Sequence, residues 1–284
     1  MAGRALVLGA GGMSGVAWEA GLLVGLAEAG VDPGGFDFVV GTSSGAIVAA
    51  ALGGDTRLTD LYDRQCGPGS PAMKRTMQID VPELDRRLTL AVDGARDGTE
   101  MRRRMGELAR REQPLPADEF RALIAAELPA DTWPEQRVGM VAVDTESGEP
   151  RILERAPDLP LADVVAASCA IPGVWPAVPL GDRTYMDAGT RSNENLDLVT
   201  GFERVVVLSP CGVHAPSLWM GVSLRRAMKQ LRADGCEVLV VEPDLDTGDH
   251  IRANLLDPTA GAPAARAGRA QAGEVAGTVA DFLG

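Results

Sequence analysis

Two glycine-rich turns constrain this chain more than anything else in it, because each follows an apolar run and precedes a helical one. Ala5-Leu6-Val7-Leu8 ends at Gly9 and reads as a buried strand, and Gly9 to Gly15 (GAGGMSG) is the first turn. Val16 to Ala29 then carries apolar residues at helical spacing and stops at Gly30, and Phe36 to Val40 is a second buried strand. The second turn, Gly41-Thr42-Ser43-Ser44-Gly45, leads into a helix that starts over Ala46 to Leu52. Strand, glycine loop, helix and strand in this order predict a βαβ unit with a parallel pair. Parallel neighbours bring both turns to one carboxyl edge of the sheet, where open α/β sheets build their sites.

The second turn is a G-x-S-x-G. At a strand-to-helix junction it is tight enough that only glycines fit beside the serine, and it exposes the Ser43 hydroxyl at a helix N-terminus that favours developing negative charge. Such a nucleophile needs a base and an oxyanion hole. The N–H groups of Gly11-Gly12-Met13-Ser14-Gly15 are placed to face it from the neighbouring loop. A dinucleotide site is the competing reading of that loop, but position 14 is Ser and no acid ends the second strand. For the base, the two histidines are His214, in a loop before Pro216, and His250, in Asp246-Thr247-Gly248-Asp249-His250. A lone loop histidine is more often solvated than catalytic. Asp187 follows the strand Arg183-Thr184-Tyr185-Met186 and opens Asp187-Ala188-Gly189, where small residues permit close backbone approach. Taken alone, it reads equally as an aspartate capping a turn.

From Thr56 to about Glu127 the pattern is helical and charged, broken near Gly67-Pro68 and Pro114. Strands return at Val138 to Val143, Arg151 to Leu153, Arg183 to Met186, Val205 to Leu208 and Val238 to Val241. A helix from about Ser217 to Ala233 separates the last two, and a small-residue helix reaches Leu283. With no repeat and no low-complexity linker, the economical reading is one α/β domain over residues 1–284, with a helical insertion near 56–130. Forty acidic residues against 27 basic give a net charge of −13, which argues against nucleic-acid binding and against attachment to anionic lipid by overall charge. Four scattered cysteines without metal spacing predict reduced thiols and a cytoplasmic setting. The start of the chain has no signal-peptide pattern, and the longest uncharged run, Phe38 to Gly54, is 17 residues interrupted by Thr42-Ser43-Ser44. A soluble protein without metal or cofactor is expected. Residues 74–111 stand apart with ten basic side chains against seven acidic. Met101, Met105 and Leu108 recur at helical spacing beside Arg102, Arg103 and Arg104, which reads either as a packed helix or as an interfacial cover that makes transient contact with a membrane surface.

Taken together, these segments resemble the patatin-like phospholipase (lipid acyl hydrolase) family. The likeness runs from Arg4 to about Pro210 and includes Ala167-Ser168-Cys169-Ala170-Ile171-Pro172 with Trp175-Pro176, similar to the family's A-S-x-A-x-P…F-P segment. The resemblance implies a three-layer sandwich with a mostly parallel central sheet flanked by helices. It implies a dyad with no catalytic histidine: Ser43 as nucleophile, Asp187 as base, Gly11 and Gly12 (with Ser44 as a further donor) holding the oxyanion, and Asn193 matching an Asn found six residues after the Asp in many members. The substrate it implies is a lipid or related acyl ester. The chain departs from the family at Ala10-Gly11-Gly12-Met13-Ser14-Gly15, which lacks the usual first glycine and the basic residue, at Ala188 in the D-G-G motif, and at Trp175. Two other readings remain at this stage. One is an α/β-hydrolase with a Ser43–Asp187–His214 or Ser43–Asp187–His250 triad, and the other is a binding module that has lost activity.

Overall fold

The computed structural model describes residues 2–52, 57–67, 80–214, 221–253 and 255–284. The first strand, β1 (Arg4–Leu8), pairs in parallel with β2 (Phe38–Thr42) and with β7 (Arg204–Leu208), and β7 pairs in parallel with β8 (Glu237–Val241). On the other side β2 pairs in parallel with β3 (Val138–Asp144). Three antiparallel strands complete the sheet: β4 (Pro150–Glu154), β5 (Val178–Leu180) and β6 (Arg183–Asp187). The order is β5-β6-β3-β2-β1-β7-β8, with β4 also on β3.

The central strands are apolar on both faces, as a sheet covered on both sides requires. Leu6, Leu8 and Val39 enter one core, while Ala5, Val7 and Val40 enter the other. The first core is roofed by α1 (Gly12–Glu28), α2 (Ser44–Ala51), α7 (Leu161–Cys169) and α10 (Gly261–Leu283). The composition of α10 follows from its position. A Cβ at Gly268 would collide with the Trp18 carbonyl, and one at Gly21 with the Ala265 carbonyl, so the two helices meet almost backbone to backbone. Helices α3 (Arg57–Cys66), α4 (Val81–Val92), α5 (Gly98–Arg111) and α6 (Ala117–Glu127) lie in the chain between α2 and β3. Beyond β7 come α8 (Leu224–Ala233) and, after β8, α9 (Leu245–Ala253). The three-layer α/β architecture with a mostly parallel sheet is therefore present.

Several boundaries differ from the sequence reading, each for a physical reason. Helix α1 starts at Gly12, inside the glycine loop, because the Met13 N–H finds the Leu255 carbonyl at 2.7 Å and lets the helix begin early. Helix α8 starts at Leu224, where the Ser223 hydroxyl accepts the Arg226 N–H; of the expected earlier turn, residues 217–220 lie outside the described residues. Strand β5 was not foreseen, because Pro179 at its centre reads as a breaker and is tolerated only at a sheet edge. Helix α5 is packed on the domain by its apolar stripe. Met101, Met105 and Leu108 are all buried, the Arg102 guanidinium donates to the Gly148 carbonyl at 2.6 Å, and Arg104 pairs with Glu100 at 2.7 Å. Residues 74–79 of that basic segment lie outside the described residues. Among the described residues, no helix is long and apolar enough to cross a membrane.

Candidate functional site

The site follows from how one edge of β3 is shared. Along residues 139–143 one edge of β3 is occupied by β4. Since a strand has two edges, β2 and β6 divide the other: Thr42 stands opposite Val141, and Asp187 opposite Ala142. The end of β2 and the end of β6 thus meet head to head, and Ser43 leaves one strand where Asp187 finishes the other.

Ser43 has φ 53° and ψ −114°, a backbone conformation that non-glycine residues rarely hold. Strain of that kind costs ~1–3 kcal/mol and persists only where the surroundings over-determine it. The surroundings here do so. A Cβ at Gly45 would collide with the Leu8 carbonyl, and one at Gly41 with the Gly45 carbonyl, so the turn closes only on glycine. From α7, the Ser168 hydroxyl accepts the Ser43 N–H at 2.9 Å and donates to the Val141 carbonyl at 2.7 Å, while the Cys169 thiol donates to the Ser43 carbonyl at 3.2 Å.

The Ser43 hydroxyl donates to Asp187 Oδ2 at 2.7 Å, and the Gly189 N–H donates to Oδ1 at 2.6 Å. Asp187 is 3% exposed. Burial pushes its carboxyl up to about 6, against the opposing pull of the Ser43 and Gly189 hydrogen bonds. Above that pH it is a carboxylate already aligned on a hydroxyl proton, which is the geometry of general-base activation.

The glycine loop faces the same point. Gly12 has φ +59°, and a Cβ there would collide with the Leu255 carbonyl. The Ser44 hydroxyl donates to the Gly9 carbonyl at 3.1 Å and ties the two turns together. Among the described residues, no protein acceptor takes the N–H of Gly11 or of Gly12, and both residues line a cavity of about 450 Å³ with Ser43 and Asp187. Asn193 acts through its backbone, its carbonyl accepting the Ala10 N–H at 2.7 Å.

Three buried polar residues that sequence reasoning missed hold this arrangement. Asn195, in the left-handed region at φ 50°, donates its amide to Thr42 Oγ1, Ala188 O and Ser192 O, joining the end of β2 to the turn after β6. Glu19 of α1 accepts the Gly9 N–H at 2.8 Å, and Glu194 accepts the Ser209 hydroxyl at 2.7 Å. Burial raises both carboxyls, Glu194 to about 7 and Glu19 well above the usual range. The one sequence signal was Glu19 standing alone among apolar neighbours in Val16-Ala17-Trp18-Glu19-Ala20; Glu194 and Asn195 lie in a polar stretch and gave none.

Neither histidine belongs to the site. His214 is exposed and bonded to Arg225, His250 lies on α9, and neither lines a cavity with Ser43. Both Asp187 oxygens are already engaged by Ser43 and Gly189. The Ser43–Asp187 pair therefore has no histidine among its hydrogen-bond partners in the described residues.

A family model for patatin-like phospholipases matches residues 6–200. No curated protein matches the sequence. Among solved structures, VipD from Legionella pneumophila is similar at 12% identity and a TM-score of 0.43, over 98% of this chain and 67% of its own. The type III effector ExoU is similar at 16% identity and a TM-score of 0.35, over 97% of this chain and 53% of its own. The full-length complex of SpcU with full-length ExoU from Pseudomonas aeruginosa gives 18% identity and a TM-score of 0.31, over 93% of this chain and 52% of that one. The chain spans about half the length of the ExoU chains.

Proposed function

Because the chain belongs to the patatin-like phospholipase family, we propose that it hydrolyses acyl esters of lipids through an acyl-enzyme on Ser43, with Asp187 as its only base. The observation that carries this reading is the 2.7 Å hydrogen bond from the Ser43 hydroxyl to a buried carboxylate, at a serine held in a strained turn. Asp187 takes the Ser43 proton as Oγ attacks the ester carbonyl. The N–H groups of Gly11 and Gly12 receive the oxyanion, and removing one such donor typically costs ~10²–10³ in turnover. Asp187 returns the proton to the departing alkoxide, leaving acyl-Ser43 and an alcohol. Water then attacks the acyl carbon while Asp187 accepts its proton, and collapse releases the acid and restores the Ser43 hydroxyl.

Residues 1–284 are read as one domain, with the helices between about 56 and 130 as an insertion. A cytoplasmic setting fits four free thiols. The experiment is to follow free acid released from mixed vesicles of phospholipid and neutral glyceride by the wild type and by Ser43→Ala. Release by the wild type alone supports the reading, and equal release by both proteins removes it.

A further inference from the structure

Gly11 and Gly12 are gripped from both sides by residues that follow β7. On one side the Cys211 thiol donates to the Ala10 carbonyl at 3.3 Å, and a Cβ at Gly11 would collide with the Pro210 ring. On the other side the Leu255 carbonyl accepts the Met13 N–H at 2.7 Å and stands against the bare Cα of Gly12. Met13 is in the first turn of α1, where an N–H has no partner inside the helix and its acceptor must come from elsewhere. Occupying that donor fixes the turn and leaves the N–H groups of Gly11 and Gly12 to face the cavity. Leu255 lies between helices, since α9 ends at Ala253 and the next helical turn begins at Pro258. Arg252, in the last turn of α9, connects the two grips. Its guanidinium donates to the Cys211 carbonyl at 3.0 Å and pairs with Asp249 at 2.5 Å, and its side chain lines the cavity with Cys211 and Leu255. Cys211, Arg252 and Leu255 all lie beyond residues 6–200, the part of the chain that matches the family model.

We propose that Arg252 is a positioning residue for the oxyanion hole: by tying the Cys211 turn to the Leu255 segment, it holds Gly11 and Gly12 in the orientation that receives the oxyanion. The proposal rests on the acyl-hydrolase reading of Ser43. Donors stabilise an oxyanion only as well as they are aimed, and the oxyanion forms only on the way to the tetrahedral intermediate. Loosening the grip therefore lowers kcat and spares KM. An arginine in the last turn of a helix also offsets the helix dipole, but that role acts on unfolding and leaves transition-state binding untouched.

The test measures kcat and KM on a soluble p-nitrophenyl ester for the wild type, Arg252→Met and Arg252→Lys. Two inhibitors are titrated alongside: an alkyl trifluoromethyl ketone, which adds to Ser43 and places an oxyanion in the hole, and the alcohol of the same chain length, which binds without one. Arg252→Met is expected to lower kcat by about tenfold, less than the ~10²–10³ lost with a whole donor, while KM stays within about twofold. The ketone is expected to weaken by about the same factor as kcat, with the alcohol unchanged. Arg252→Lys keeps a donor for the Cys211 carbonyl and is expected to recover most of the loss. The Arg252 side chain is 38% exposed, so the fold is expected to survive; should Arg252→Met fail to unfold cooperatively, Arg252→Ala takes its place under the same criteria. A kcat within about twofold of the wild type overturns the positioning role and leaves the hydrolase reading standing. So does a lowered kcat with undiminished ketone affinity, or a loss carried by KM and shared by the alcohol, which marks Arg252 as a substrate contact. Absence of turnover and of fluorophosphonate labelling in the wild type overturns the hydrolase reading, and the positioning role with it.

Discussion

Replacing Asp187 with Asn separates catalysis from stability in opposite directions. The Asn carbonyl keeps the Gly189 N–H that Oδ1 now accepts, and its amide can donate to Ser43 Oγ, so the local packing survives with one hydrogen bond reversed. The amide accepts no proton, and loss of a positioned general base costs ~10²–10⁴ in rate. Stability moves the other way. Burial raises the Asp187 carboxyl from 3.8 to about 6, so the stability of the wild type is fully present below the unfolded value and is lost as pH rises through the folded one. Roughly two pH units correspond to ~3 kcal/mol, which the neutral Asn does not lose. The expected result is an unfolding free energy for Asp187→Asn that gains on the wild type by up to ~3 kcal/mol between pH 4 and pH 8, measured by denaturant titration. Wild-type kcat/KM on a soluble ester is expected to rise through about pH 6 and level off above pH 7. A variant with turnover within tenfold of the wild type, or a stability difference that does not vary with pH, refutes the reasoning.

Further outcomes follow from the same geometry. Ser43→Gly relieves the positive φ and is expected to unfold ~1 kcal/mol less readily than Ser43→Ala in chemical denaturation, both being inactive. His214→Ala and His250→Ala are each expected to keep ester hydrolysis within a few-fold of the wild type, since neither ring lines the cavities at Ser43. Arg102→Gln is expected to lower the melting temperature by removing the bond to Gly148, whereas Arg103→Gln, on an exposed side chain, leaves it unchanged; a selective loss on anionic vesicles in either variant contradicts the packed-helix account. Glu194→Gln is expected to gain stability on the wild type from pH 5 to pH 8, because its carboxyl is raised to about 7 and the charged form is the disfavoured one.

The parts of the site that were legible in the sequence are those fixed by local sterics. Gly41 and Gly45 close the turn around Ser43 within five residues, so the strand–elbow–helix can be read without knowing its neighbours. Asp187 was legible as a strand end beside small residues, but its meeting with Ser43 depends on β6 taking over the edge of β3 where β2 leaves it. No local pattern encodes that pairing. Glu19 is the one charged residue in an otherwise apolar stretch of α1, but its place under the glycine loop depends on tertiary packing, since α1 is covered on its far side by α10. Arg102 stood in a run of three arginines that read as part of a packed helix or of an interfacial cover, and its guanidinium reaches a carbonyl 46 positions along the chain. The buried polar network of Asn195, Glu194 and Ser209 was illegible for the same reason: its partners are assembled by tertiary packing.

The most direct test of the central claim is to label the wild type, Ser43→Ala and Asp187→Asn with a fluorophosphonate at pH 8 and locate the adduct by peptide mass spectrometry. The account predicts a single adduct on the wild type at Ser43, none on Ser43→Ala, and labelling of Asp187→Asn slowed by ~10²-fold or more. An adduct on another residue, or ester turnover that persists in Ser43→Ala, contradicts it.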